Sequence, residues 1–329
     1  MQRIGRRSFV LGAAAATAAC LAGPSWAQQS SLRVATSMQL GSPWVKHLEA
    51  VTKNLTEKTS GQLMFSIHPA GQLGDAAATA NECKSGYVDI WLGSFHDLWN
   101  IAPDLSVFSL PYLFRDRKIA AQTVDSLRGS IADRLRKVGL QPLWFTEMGE
   151  RSVWTRSDFV KSPADLQGKK LCTSGEVNVM TLKELGAKPE SKDPSETVGA
   201  LQMGEAVGFD GAPLPSEPLW QLVSHLTVTR HSYEPGLAVM NLKAWERLPK
   251  ELHEFLASDD ESRKARGPVR GAEQEYLKQA MVQGLRVHHC TQEELDVFKA
   301  ATAPVHAQLV SRTGEVSAGR LYSEVRRLI

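Results

Sequence analysis

Cysteine is scarce, with four in 329 residues, and one of these, Cys20, falls inside an apolar leader. The other three, Cys83, Cys172 and Cys290, allow at most one internal bridge, which excludes a small scaffold stapled by disulfides. An excess of charge is missing too: 38 Lys and Arg stand against 36 Asp and Glu. Three of those arginines lie in residues 1–27, which hold no acid, so the formal charge beyond them is 2 − 3 = −1. That balance supplies no basic surface for nucleic acid or for an anionic membrane. No apolar run after the leader is long enough to span a bilayer. No Ser-His-Asp order, metal-ligand cluster or glycine-rich phosphate loop is present, so neither an enzyme class nor a cofactor is indicated.

What is present begins at the first residue. Arg3, Arg6 and Arg7 precede an apolar run from Phe9 to about Ala22, and Ser25-Trp26-Ala27 offers a small-residue cleavage site before Gln28. The adjacent Arg6-Arg7 followed by Ser8-Phe9-Val10 reads as a twin-arginine export signal. Cys20 could instead start a lipid-anchored chain, but Thr17 stands where such a signal wants a large aliphatic residue. The expected mature protein is periplasmic, soluble and monomeric, with roughly 300 residues, enough for two domains.

Strand and helix patterns alternate along the mature chain. "LRVATS" and "LMFSIHP" read as strands on either side of a helix that Ser42 caps and Pro43 starts. A helix from about Asp75 to Ser85, the strand "VDIWLG", a helix near Arg117 to Val138 and the strand "LQPLWFTE" come next. Past Gly149 the pattern repeats, with strands at "SVWTRS", "KKLCTS" and "VGFDG" and helices between the last two. Strands alternating with helices predict an α/β fold with largely parallel sheets. After the strand "GLAVMN", Leu248 to about Gly284 reads as one long helical stretch that Gly267-Pro268 should kink. The expected division is residues 28–148 plus about 235–275 for domain one, and 149–234 plus about 276–329 for domain two. The hinges are expected near Met148–Glu150 and Glu234–Gly236.

"PAGQLGD" (69–75), "GYVDIWLGS" (86–94), "VFSLPYLFRD" (107–116), "DLQGKKL" (165–171), "ALQ" with the later "DG" (200–202, 210–211) and "WERLPKELHEFL" (245–256) stand in sequence along the chain. In that order and spacing they resemble the solute-binding proteins of tripartite ATP-independent periplasmic (TRAP) transporters, the DctP-like family. The resemblance implies a two-domain α/β binding protein with hinge strands, braced by a long C-terminal helix spanning both domains. It implies a small organic ligand, typically an organic acid, held between the domains and delivered to membrane subunits of the transporter. A binding protein that feeds a sensor, or a secreted enzyme on the same scaffold, is the alternative, because fold does not fix function.

The family reads a substrate carboxylate with an arginine on the strand after "DLxGxK", and here that position is Cys172. A second family arginine is kept as Arg151, and the position of a family asparagine falls on Leu214. Ser37, Asp75 and Ser94 occupy cleft-lining positions of the family. A bidentate guanidinium is the strongest grip on a buried carboxylate, so losing one implies an altered ligand. The cleft is left with Arg151 alone, with Lys170 borrowed from two residues before Cys172, or with a ligand of little charge. Cys172 lacks a base to make it a nucleophile. His288 and His289, as strand neighbours, point to opposite faces and cannot chelate one metal together. Trp91, Trp99, Trp144, Trp154 and Trp220 are expected in the core more than in an aromatic pocket.

Overall fold

The computed structural model describes residues 30–213 and 219–329. The leader with Cys20 and Ala27 lies outside the described residues, as does Leu214. Strand β1 (Ser30–Thr36) leads into α1 (Pro43–Lys58), whose Ser42 cap accepts from the Val45 N–H. Strand β2 (Leu63–His68), helix α2 (Ala76–Ser85) and strand β3 (Ile90–Ser94) complete a βαβαβ unit with β1 central and parallel to both neighbours.

The expected helix across 117–138 is two helices, α3 (Arg117–Ser126) and α4 (Arg128–Lys137), which meet at Leu127. The strands expected on either side of Gly149 are one strand, β4 (Leu140–Thr155). Gly149 takes a φ of 117°, and the pairing register shifts beside it, so the chain bends without leaving the ladder. Next come β5 (Lys170–Thr173), α5 (Glu176–Glu184), β6 (Lys188–Ser191), α6 (Pro194–Gln202) and β7 (Gly208–Gly211), in which β5 pairs in parallel with both β6 and β7. The 17-residue strand β8 (His225–Asn241) then runs antiparallel to β4 along almost its full length.

The two long strands organise the molecule. β3 joins β8 at its 236–240 end, and β7 joins β4 at its 152–155 end, giving the order β2-β1-β3-β8-β4-β7-β5-β6. Two parallel strand sets therefore hang from opposite ends of one antiparallel ribbon. The expected parallel sheets are there, but they form one mixed sheet rather than two separate ones.

Burial is nearly continuous along the central strands, as a sheet covered on both faces requires, and successive side chains point to opposite faces. Trp144 and Leu92 pack with Leu48, Leu252 and Val269 on one face, while Phe145 and Trp91 pack with Phe95, Phe108 and Leu309 on the other. In the second strand set Trp154, Cys172 and Phe209 share one cluster, and Val153, Leu171 and Phe298 share another.

The long helical stretch expected from Leu248 is broken. After α7 (Leu242–Arg247), α8 (Lys250–Leu256) ends, Ser258 caps a new helix by accepting from the Glu261 N–H, and α9 (Asp259–Val282) begins with three acids in its first turn. Pro268 lies inside α9, and its missing N–H removes the bond to the Lys264 carbonyl, which is the origin of the kink. Ala265 and Val269 bury in the cluster of the first strand set and Ala280 in that of the second, so α9 braces both. The chain ends with β9 (Arg286–His289), which pairs with β8, then α10 (Gln292–Thr302), α11 (Pro304–Thr313) and α12 (Arg320–Arg326). Val305, Leu309, Leu321 and Val325 of these last two helices bury beside Leu105 and Phe108.

Candidate functional site

A cavity of ≈ 400 Å³ lies where the carboxyl ends of the two strand sets face each other. This is where open α/β sheets leave a crevice for ligands. From the first set come Ser37 just after β1, Asp75 at the cap of α2, and Ser94, His96 and Asp97 after β3. From the second come Cys172, Thr173 and Ser174 at the end of β5, Lys192 and Asp193 after β6, and Phe209 and Asp210 on β7. The ribbon between them supplies Met148 and Arg151 from β4 and Glu234 from β8. Trp44 closes one side, fixed by donating from Nε1 to the Glu147 carbonyl at 3.0 Å.

Arg151 is the centre of a buried charge network, and each of its three guanidinium nitrogens is engaged by the protein itself. Nε donates to Asp210 Oδ1 at 3.2 Å, Nη1 to Glu234 Oε2 at 2.9 Å, and Nη2 to the Asp210 carbonyl at 2.7 Å and Thr173 Oγ1 at 3.1 Å. Thr173 in turn donates to Asp210 Oδ2 at 2.8 Å, and His231 Nε2 stands 3.0 Å from Oδ1. Burial alone would raise the Asp210 carboxyl, but Arg151 and His231 outweigh it and hold it well below the usual carboxylate range.

His96 links this network to the first strand set. Its Nδ1 meets Glu234 Oε1 and Ser94 Oγ, and its Nε2 meets Asp97 Oδ1 at 3.1 Å. Burial disfavours the imidazolium, yet Glu234 and Asp97 together push the His96 pKa up to about 10. For Glu234, burial is outweighed by His96 and Arg151, which bring the carboxyl down to about 2. Asp193 is shifted the other way, raised by burial and by the neighbouring carboxylates of Asp75, Glu196 and Asp97.

One close contact between the two walls is at a glycine. Gly175, between β5 and α5, has a φ of 86°, and a Cβ there would lie 2.9 Å from both Cβ and Cγ of His96. Gly175→Ala therefore meets a backbone penalty and a contact that His96, held by three partners, resists relieving. The expected cost is about 1–3 kcal/mol in denaturant titration. An unchanged midpoint would mean that the walls are not packed together here.

Of the residues singled out from the sequence, Ser37, Asp75, Ser94, Arg151 and Cys172 all line this cavity. Cys172 is buried among Trp154, Ala200 and Phe209, and burial, followed by the Glu190 charge, pushes its thiol up. Lys170 is corrected. It is exposed, pairs with Glu190 at 3.1 Å and does not reach the cavity, because it sits at the start of β5 while the cavity lies beyond its end. Sequence reasoning missed His96, Asp97, Lys192, Asp193, Asp210, Glu234 and Trp44. His96 and Asp97 follow the carboxyl end of a parallel strand that sequence reasoning assigns, a positional signal already available there, whereas Lys192 and Asp193 follow β6, which it does not assign. Trp91, Trp144 and Trp154 are core, and Trp99 packs half-buried against it. His288 meets Glu294 at 2.8 Å near Cys290, and His289 is not part of that group. The three cysteines among the described residues are free.

Comparison with known proteins agrees with this geometry. A family model described as bacterial extracellular solute-binding protein, family 7 (DctP), matches residues 34–313. The 2,3-diketo-L-gulonate-binding periplasmic protein YiaO of Escherichia coli (strain K12) is 30% identical over 225 residues, which cover 65% of this chain and 67% of that one. The C4-dicarboxylate-binding periplasmic protein DctP of Rhodobacter capsulatus is 26% identical over 272 residues, or 80% and 81% of the two chains. Among solved structures, a TRAP periplasmic solute-binding protein from Sulfitobacter sp. NAS-14.1 with bound β-D-galacturonate superposes with a TM-score of 0.85 at 21% identity, covering 91% of this chain and 100% of that one. At that identity the likeness shows the fold.

Proposed function

The chain belongs to the bacterial extracellular solute-binding proteins of family 7, the DctP-like proteins of TRAP transporters, which are not enzymes, and from that premise we propose that it captures a small organic ligand between two lobes and hands it to the transporter's membrane subunits. The supporting observation is the cavity itself, enclosed between strand sets that two long strands join and α9 braces. The lobes are residues 28–148 with about 235–275, and 149–234 with about 276–329, except that α11 and α12 pack against Leu105 and Phe108 of the first lobe. They close by bending near 148–150 and 234–236, beside the register shift at Gly149. Arg151 and Glu234 stand at these crossings, so the ligand is sensed where the chain bends. The twin-arginine leader is removed before Gln28 and the mature protein works in the periplasm. No helix among the described residues is long and apolar enough to cross a membrane.

One preparation tests the whole reading. Protein exported by its own leader is recovered from the periplasm, and mass spectrometry reads its N-terminus, expected at Gln28. A thermal-shift screen of small organic compounds then finds the strongest stabiliser; saturation at 100 times Kd should contribute about 2.7 kcal/mol. X-ray scattering with that compound should give a more compact particle. An unchanged envelope at saturation would sink the closing cleft, and an acylated Cys20 would replace the free periplasmic protein by an anchored one.

A further inference from the structure

Resting on the reading that this cavity is the ligand site, we infer that the ligand carries a cationic nitrogen and is not gripped through a carboxylate. Among the described residues, the charged groups facing the cavity are five acids, Asp75, Asp97, Asp193, Asp210 and Glu234, against Arg151, Lys192 and His96. Even with His96 counted as imidazolium, the lining is left with two uncompensated negative charges.

The distribution of those charges matters more than the sum. Arg151 already has its charge balanced by Asp210 and Glu234, so a ligand carboxylate that took its second Nη1 N–H would bring a third negative charge to the same guanidinium. His96 is likewise held between Glu234 and Asp97. Lys192 is the remaining cation among the described lining residues, and it shares the cavity with Asp75 and Asp193. A carboxylate would enter against the field; a cation would enter along it.

Asp75 and Asp193 also belong to opposite walls. Asp75 caps α2 of the first strand set and Asp193 caps α6 of the second, and the Asp75 charge is felt at Asp193. Bringing the walls together without a ligand opposes like charges, whereas a cationic nitrogen between them turns that repulsion into a bridge. Closure is thereby tied to the ligand's charge. The apolar lining from Trp44, Met148, Phe209 and Leu219 is available to a methylene chain.

The test uses four probes on one four-carbon chain: 1,4-diaminobutane, 4-aminobutanoate, 1,4-butanediol and succinate, with D-galacturonate added as a sugar acid. Calorimetry on the mature wild-type protein is run in EDTA at low and at high salt. The diamine or the amino acid should bind at least about tenfold more tightly than succinate, and the diamine's advantage should shrink with salt. The double variant Asp75→Asn, Asp193→Asn keeps both helix caps, since asparagine caps as well as aspartate. It should weaken diamine binding by about tenfold or more while leaving succinate unchanged or improved. Succinate or D-galacturonate binding most tightly would overturn the inference, as would silence from both nitrogen-bearing probes or succinate binding that appears only when calcium replaces EDTA. An acid preference would still leave ligand capture standing; that broader reading falls only if no compound of the wider screen closes the cleft.

Discussion

Arg151→Met should lower stability by about 3–5 kcal/mol, the usual cost of removing one partner from a buried ion pair. The guanidinium is only 4% exposed, and its loss leaves Asp210 and Glu234 buried and facing each other. His231 and His96 still touch one carboxylate each, so the network is weakened on both sides rather than dissolved. A pH series separates this from simple loss of packing. In the wild type Glu234 titrates near 2 instead of its ordinary 4.5, so its contribution is complete above 4.5 and is lost as pH falls through about 2. His96 works in the opposite sense, its contribution complete below its ordinary 6.5 and lost as pH rises through about 10. Without Arg151 the Asp210 carboxyl keeps only His231 as a basic partner and Glu234 keeps only His96, so both pKa values rise toward their ordinary range and the variant should lose less stability than the wild type on acidification. Adding Asp210→Asn and Glu234→Gln should restore most of the loss, because the charges that Arg151 balances are then gone. A single variant within about 0.5 kcal/mol of wild type would remove Arg151 from the structural centre and return it to the role of a free clamp for ligand acids.

That outcome bears on how much of the site the sequence carries. Resemblance to the family picks out Arg151, Cys172, Ser37, Asp75 and Ser94, and all five meet at one cavity. The partners that decide what Arg151 can do lie far along the chain, Asp210 on β7 and Glu234 on β8, and nothing in local spacing announces that they converge on it. Periodicity likewise finds most elements but not their continuity. Gly149 reads as a break because glycine usually is one, yet β8 pairs across it and holds β4 together. The opposite error occurs at Ser258, where a serine followed by three acids is a helix start that the charge-rich stretch around it conceals. Cys172 is legible as a departure from the family pattern, while its burial against Trp154 and Phe209 depends on tertiary packing. A thiol there leaves β5 itself without a cation in the cavity, consistent with an acidic lining.

The second large effect is expected at Glu147, which is fully buried in β4 just before the bend. Its carboxylate receives Arg270 of α9 through Nε at 2.7 Å and Nη2 at 2.9 Å, Arg117 of α3 at 3.2 Å and the Tyr233 hydroxyl at 3.2 Å. Two further contacts fasten the same segment to α9. The Phe145 N–H donates to Ser262 Oγ at 3.0 Å, and Gly149 leaves room for Glu273, against whose carboxylate a Cβ would collide. The brace thus grips residues 145–148 and leaves the proposed bend to Gly149 and the stretch of β4 beyond it. Glu147→Leu should cost about 3 kcal/mol, the lower end of the range for a broken buried pair, because Arg270 is 38% exposed and can turn to solvent while Arg117 keeps Glu273. Arg117→Met should cost less and Arg270→Met least. Hydrogen exchange at 145–148 should rise in the same order, with the far end of β4 near Thr155 unaffected. If Arg270→Met costs as much as Glu147→Leu, the exposed arm carries the brace and the buried carboxylate is not its anchor. If exchange rises equally at both ends of β4, the strand moves as one piece, and the bend cannot lie where the register shifts.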